Sequence, residues 1–332
     1  MNSPHSGDAI STLPRRVLIA VDSSEASRQA LDYARNLLPA GCDVRLVSVA
    51  ENPHKLFPTG RRVGHMLDLA RDELLRDALE ALDRATQSLA ACDARIDSEV
   101  IDLAKRGNDV VDALIDAADT WRADLMVIGA RQHQGLQRWA EGTVSERLTR
   151  RLRCPMLVVP QSYSTTHSEL PERILFAVDG SSLSMSALQY GIRFATSDTE
   201  LRAVYVIDRA VRLSDWIPID SLEDSFVGEG KEAIAAAEPV LARVSARVST
   251  ALVRTNRTDD DVAHAIVREA GGWEAQLIVM GTHGRRGITR WILGSVAGRV
   301  LQITQTPILL IHASDATSAS TGSPRFRSST RT

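Results

Sequence analysis

The chain contains two copies of one sequence pattern, and this internal repeat constrains its fold more than any other feature. Residues 16–22 read RVLIAVD and residues 173–179 read RILFAVD, while ADLMVIG at 123–129 returns as AQLIVMG at 275–281. Further residues recur at one constant offset, from Gly135 and Gly287 to Leu157 and Leu309. A chain of 332 residues with such a repeat is expected to form two similar domains, each large enough for its own core.

Short apolar runs alternate with longer segments of helical periodicity in each copy. This order predicts an α/β fold of two tandem, mainly parallel, open five-stranded sheets with helices on both faces. The predicted strands are 17–21, 43–50, 94–101, 125–128 and 156–159 in the first copy, and 174–178, 201–207, 247–253, 277–280 and 308–311 in the second. The helices predicted for the second copy are 184–196, 229–244, 260–271 and 295–302.

The predicted domains span residues 15–160 and 171–313, and a polar segment at 161–170 links them. We expect residues 1–14 to be flexible. Residues 314–332 are rich in Ser, Thr and Arg and poor in bulky apolar side chains, so we predict a disordered tail there.

Composition narrows the class of protein. The hydrophobic fraction of 44% and the charged fraction of 24% are typical of a soluble globular chain. A net charge of -3 lacks the basic excess that nucleic-acid binding needs, no run of about 20 apolar residues is present, and residues 1–13 show no charged start followed by an apolar run. We therefore expect a cytoplasmic protein that binds neither nucleic acid nor membrane.

The three cysteines, Cys42, Cys92 and Cys154, are scattered along the chain. They lack the close spacing of a zinc site or a redox pair, and their number is odd. Buried free thiols are the expectation, and no metal site is predicted.

A glycine loop carries the strongest functional signal. Residues 281–296 read GTHGRRGITRWILGSV and connect a predicted buried strand to a predicted helix. Glycines let consecutive backbone N–H groups converge on phosphate oxygens, and the start of the helix adds unpaired N–H donors and the positive end of its dipole. The loop therefore predicts phosphate binding. No Walker motif is present, because no Gly-Lys-Ser/Thr follows a glycine loop.

Two residues separate Gly281 from Gly284, and nine separate Gly284 from Gly294; this spacing closely resembles the ATP-binding signature of the universal stress protein family. The resemblance extends over both copies, including the Val-Asp that ends each first strand and the Cys-Pro or Thr-Pro that opens each last strand. Only the tails and the linker fall outside it. The resemblance implies a Rossmann-like, adenine nucleotide alpha hydrolase-like fold, a role in stress response, and ATP as ligand, with Mg²⁺ carried by the nucleotide.

The family pattern also implies the site residues of the second copy. The base and ribose would be surrounded by Ala177, Val178, Asp179 and Val206, and the ribose and phosphates by Met280, Gly281, Gly284, Gly294, Ser295 and Val296. Arg285 lies in the loop where phosphates would emerge; its guanidinium suits phosphate geometry, although a solvated surface position is an equal alternative. Asp179 has an alternative role too, because an aspartate at a strand end caps the following turn.

The first copy departs from the signature at one position. Gln132 stands where the second copy has Gly284, although Gly142 is kept. A glutamine there is disfavoured in left-handed backbone and fills space that a ribose or phosphate needs. We predict that the first copy binds ATP weakly or not at all.

Three functional hypotheses remain open at this point. The preferred one is an ATP-binding protein whose bound state alters its interactions with an unidentified protein partner. The alternatives are a slow ATP hydrolase or phosphotransferase, for which the second-copy loop offers no catalytic Asp or Gln, and a nucleotide-free interaction scaffold. The two domains are expected to pair as an intramolecular pseudo-dimer through strands 156–159 and 308–311, and a homodimer of whole chains stays open.

Overall fold

A computed structural model of the chain describes residues 13–56, 64–130, 144–164, 170–209, 219–256, 260–284 and 293–312. The first domain contains β1 (Arg16–Ala20), α1 (Glu25–Leu37), β2 (Cys42–Ala50), α2 (Pro53–Leu56), α3 (Gly64–Leu89), β3 (Ala94–Asp102), α4 (Leu103–Arg106), α5 (Val110–Trp121), β4 (Leu125–Ala130), α6 (Val144–Arg151) and β5 (Met156–Pro160). The second contains β6 (Arg173–Ala177), α7 (Ser182–Gly191), β7 (Glu200–Ile207), α8 (Ile219–Leu241), β8 (Val248–Arg254), α9 (Val262–Gly272), β9 (Leu277–Gly281), α10 (Ser295–Ile303) and β10 (Ile308–Ile311).

The strands form one continuous ten-stranded sheet in the order β3-β2-β1-β4-β5-β10-β9-β6-β7-β8. Each domain contributes five parallel strands, as predicted, and the two halves meet where β5 and β10 pair antiparallel. The expected pairing of the last strands is thus confirmed. The two predicted five-stranded sheets join into one. Both last strands are apolar, and their pairing buries them fully, so that neither is left as a sheet edge.

Each face of this sheet carries a hydrophobic layer that runs through both domains. One layer joins residues under α1 and α3 with residues under α7 and α8, and the other joins residues under α5 and α6 with residues under α9 and α10. Two tyrosines at equivalent positions of the two copies each donate a hydrogen bond to the other domain. The Tyr33 hydroxyl donates to the Gln276 carbonyl at 2.9 Å, and the Tyr190 hydroxyl donates to the Asp124 carbonyl at 3.1 Å.

Two helices of the second domain differ from their predicted bounds. The predicted helix 184–196 ends as an α-helix at Gly191 and tightens into a 3-10 turn over Ile192–Phe194. Gly191 lies so close to the sheet that a Cβ there would be 2.7 Å from Phe176 and Val279. The predicted helix 229–244 begins ten residues earlier, at Ile219. Gly230, which lies inside the predicted helix, packs closely on Tyr205 and Leu252.

The predicted tail at 314–332, the first twelve residues and part of the predicted linker lie outside the described residues. Within the described ranges, no helix combines the length and the apolarity required to cross a membrane.

A buried histidine links the end of the second domain to the first. His312 follows β10 and is 7% exposed, and its Nε2–H donates to the Thr149 carbonyl of α6 at 2.9 Å. Burial lowers the pKa of this imidazole to about 4, with the nearby His283 acting in the same direction and the Thr149 hydrogen bond opposing. His312 is therefore neutral in the folded protein at neutral pH.

This burial predicts a pH dependence of stability. The unfolded imidazole takes up a proton below pH about 6.5, whereas the folded one does so only near pH 4, so the unfolded state binds more protons between these values. The stabilisation is present above pH 6.5 and is lost as the pH falls toward 4, by about 3 kcal/mol in total.

Glutamine at this position keeps an N–H donor for Thr149 but does not titrate. We expect urea unfolding at pH 7 and pH 4 to show a loss about 3 kcal/mol larger in the wild type than in His312→Gln. Equal losses in the two proteins would contradict the buried neutral state of His312.

Candidate functional site

The predicted site residues of the second domain come together at the carboxyl edge of the sheet. β6 pairs with β7 on one side and with β9 on the other. The connection after β6 therefore leads to one side of the sheet, and the connection after β9 leads to the other side. Open parallel sheets bind ligands at such a switch point, beyond the carboxyl ends of their strands. The strand ends here supply Ala177, Val178, Asp179, Val206, Met280 and Gly281, and the glycine loop and the start of α10 supply Gly284, Gly294, Ser295 and Val296.

Two apolar side chains at these strand ends are less buried than the rest of the sheet face that carries α9 and α10. In the middle of the strands, Leu175 and Val204 are fully buried. Two residues nearer the carboxyl edge, Ala177 and Val206 point to the same face but are only half-buried. The helices therefore leave this strip of the sheet partly uncovered.

Asp179 follows the end of β6 and lies next to Gly284 of the glycine loop. The backbone N–H of Ser181 donates to Asp179 Oδ1 at 3.0 Å and the Ser181 hydroxyl at 2.6 Å, so the carboxylate caps its own turn, as the alternative reading expected. Gly180 in this turn has a φ of +80°, which favours glycine. The second carboxylate oxygen, Oδ2, lies 2.9 Å from the point that a Cβ on Gly284 would occupy.

The two ends of the glycine loop are held next to each other. The Gly294 N–H donates to the Thr282 carbonyl at 2.8 Å, and a Cβ on Gly294 would be 3.0 Å from that oxygen and 3.4 Å from the His283 Cα. Gly284 and Gly294 thus line a narrow backbone cradle next to Asp179. The residues between them, including Arg285, lie outside the described residues.

The N-terminus of α10 differs from those of α1, α5, α7 and α9. The side chains of Ser24, Asp109, Ser181 and Asp261 cap α1, α5, α7 and α9, each accepting from a backbone N–H of the first turn. α10 begins after Gly294 and has no side-chain cap, and Ser295 is exposed. Among the described residues, no cap side chain accepts from its first N–H groups, the type of donor that binds anions at helix N-termini.

Thr282 and His283 anchor the start of the loop, and sequence reasoning did not identify either residue. The Thr282 N–H and hydroxyl donate to the Ile311 carbonyl at 2.9 and 3.2 Å, and His283 Nδ1 lies 3.0 Å from the Thr282 hydroxyl. Burial lowers the pKa of His283. A comparison of the two copies offered a signal, because the first copy has Ala130 where the second has Thr282.

The model of the universal stress protein family matches residues 14–160 and again residues 171–312. The chain belongs to the universal stress protein family.

Relatives that align over most of the chain support this assignment. A universal stress protein of Mycolicibacterium smegmatis is 28% identical over 298 residues, which cover 89% of this chain and 96% of the relative. A Mycobacterium tuberculosis universal stress protein of strain H37Rv is 29% identical over 245 residues, covering 73% of this chain and 76% of the relative.

Solved structures share the tandem fold at lower identity. The crystal structure of a universal stress protein from Archaeoglobus fulgidus has a TM-score of 0.62 at 19% identity, covering 91% of this chain and 97% of that one. A Pseudomonas aeruginosa structure described as a putative universal stress protein has a TM-score of 0.57 at 15% identity, covering 92% and 96%.

The first universal stress protein domain repeats the turn but packs its glycine differently. Asp22 accepts from the Ser24 backbone N–H at 2.9 Å, just as Asp179 accepts from Ser181. A Cβ on Gly129 would be only 2.2 Å from the Ala26 carbonyl oxygen in α1, whereas a Cβ on its counterpart Gly281 would meet the Leu183 side chain at 2.9 Å. Gln132 and the rest of the first loop lie outside the described residues.

This difference predicts unequal responses to the same substitution. Gly129→Ala forces helix backbone to move and should destabilise the protein by about 3 kcal/mol or more, while Gly281→Ala requires a side chain to shift and should cost about 1–2 kcal/mol. Chemical denaturation of the two variants and the wild type measures both values. A smaller loss for Gly129→Ala than for Gly281→Ala would contradict the close contact between β4 and α1.

Proposed function

We propose that the second domain binds ATP, with Mg²⁺ carried by the nucleotide, and that the bound state alters contacts of this cytoplasmic protein with a protein partner in stress response. The observation that carries the proposal is the backbone cradle of Gly284 and Gly294 beside an uncapped helix. Backbone N–H groups with no side chain in the way suit the oxygens of a polyphosphate.

The remaining site residues suit the rest of a nucleotide. Ala177 and Val206 offer half-buried apolar surface for a base. Asp179 offers a carboxylate at the end of β6, where an acidic group can accept from ribose hydroxyls. Ser295 and Val296 would hold phosphate oxygens through the first turn of α10, which Gly294 keeps next to Thr282, and Arg285 would add a charge-assisted contact.

The first domain is proposed to bind ATP weakly or not at all. At the position of Gly284 a Cβ would already approach Asp179 Oδ2 to 2.9 Å, and the first domain has the longer Gln132 at the corresponding place, with Asp22 as the corresponding carboxylate. A side chain there competes with the nucleotide for the same space. One nucleotide per chain is the expected stoichiometry.

Thermal unfolding with Mg-ATP and calorimetric titration test the proposal together. At about 100 times its dissociation constant a ligand stabilises the folded state by about 2.7 kcal/mol, so the wild type should unfold at a higher temperature with Mg-ATP. Gly284→Gln should abolish this shift, because it places in the second domain the side chain that the first domain carries. Phosphate release measured in parallel distinguishes binding from hydrolysis.

The reverse substitution, Gln132→Gly, is the matched control. It should leave the site of the second domain unchanged and add binding to the first. A stoichiometry near two in the wild type would contradict the asymmetry. The absence of any shift or heat with Mg-ATP would contradict ATP binding and favour the nucleotide-free scaffold.

A further inference from the structure

Two cysteines that are far apart in the sequence lie on adjacent segments at the amino edge of the sheet in the first domain. Cys42 is the first residue of β2, and Cys92 lies in the turn that precedes β3. Sequence spacing gave no indication of a pair, since α3 and its flanking segments separate the two residues. All three cysteines of the chain are thiols in the structure.

The backbone fixes how close this approach is. Cys42 pairs with Ala94 in the register of β2 and β3, and neighbouring strands lie about 4.8 Å apart. The Gly41 N–H donates to the Asp93 carbonyl at 2.6 Å, and the Ala94 N–H donates to the Cys92 carbonyl at 2.9 Å, which folds the turn back beside Cys42. Cys92 therefore lies two residues before the strand partner of Cys42, close enough for the charge of its thiolate to act on Cys42. A disulfide requires Cα atoms about 4.4–6.8 Å apart.

The side chains also share one environment. Cys42 is 3% exposed and belongs to the hydrophobic layer beneath α1 and α3. Cys92 is half-buried and packs against that same layer. Cys154 instead packs against the layer on the opposite face of the sheet, so it cannot reach either thiol without moving through the core.

We propose that Cys42 and Cys92 form a thiol pair that hydrogen peroxide oxidises to an intramolecular disulfide. Cys92, the more exposed thiol, reacts first: its thiolate attacks the peroxide, the O–O bond breaks, and a sulfenic acid and hydroxide form. The Cys42 sulfur then attacks the sulfenic sulfur and releases a second hydroxide. The two thiol protons convert the hydroxides to water, and the two electrons from the thiols have passed to the peroxide.

The ionisation of Cys42 fits this order. Burial raises the pKa of the Cys42 thiol, and the negative charges of Asp43, Cys92 and Asp93 raise it further. Cys42 is therefore poorly suited to react with peroxide itself.

Peptide mapping of the peroxide-treated full chain tests the proposal. Trypsin places each cysteine in a separate peptide, 36–45, 85–95 and 154–173. After treatment with hydrogen peroxide and blocking with N-ethylmaleimide, the wild type should yield a linked 36–45/85–95 peptide that disappears on reduction, and the same link should form in the control variant Cys154→Ser. The test needs no nucleotide, so its result is independent of the proposed ATP site.

Variants of the pair give the second part of the test. Without Cys42 to capture it, the sulfenic acid at Cys92 should accumulate, and its labelling by dimedone should rise about tenfold in Cys42→Ser. Cys42→Ala provides the same comparison should the serine disturb the core. In Cys92→Ser, Cys42 should stay reduced. The proposal is wrong if wild-type Cys92 is over-oxidised or left reduced without the link, if the link involves Cys154, or if dimedone labelling is equal with and without Cys42.

Discussion

The antiparallel pairing of β5 with β10 is the contact on which the rest of the structure depends. Met156, Leu157 and Val158 pair with Leu310, Leu309 and Ile308 in the centre of the sheet. Both strands are buried along their whole length, so a separated domain would expose an apolar strand edge to water. The pairing also joins the hydrophobic layers of both domains into one layer on each face. The two domains therefore share one core, although each copy has a complete set of elements.

The same pairing places the anchor of the glycine loop next to a contact with the first domain. Thr282 donates to the Ile311 carbonyl at the end of β10, and the next residue, His312, donates to Thr149 in α6. A second contact joins α10 and α6, the helices that follow the two loops: the Gln302 amide donates to Glu146 at 2.7 Å. The start of the proposed nucleotide loop is thus anchored through a domain interface and not within its own domain alone. The pH dependence expected of His312 consequently reports on this interface.

Sequence reasoning predicted the features that depend on local pattern and repetition. The strands, the parallel order within each half and the pairing of the last strands follow from apolar periodicity and from the constant offset between the copies. Features that depend on contacts between distant residues could not be obtained in this way. The thiol pair needs the register of β2 against β3, the burial of His312 needs α6 of the other domain, and the close packing of Gly230 needs Tyr205 of β7.

The differences between the two copies are concentrated where they do not disturb the shared fold. Positions that hold the sheet and interface are duplicated: Tyr33 and Tyr190 make reciprocal bonds, and Arg45 and Arg202 lie over Trp121 and Trp273 at 5.3 and 4.7 Å. The loop and its anchors diverge, with Ala130, Gln132 and Pro160 in place of Thr282, Gly284 and His312. A change in a core residue would disturb both domains, because they share one core, whereas a change in one loop leaves the other intact. The shared sheet thus allows the sequence of one loop to change while the core and the other loop stay as they are.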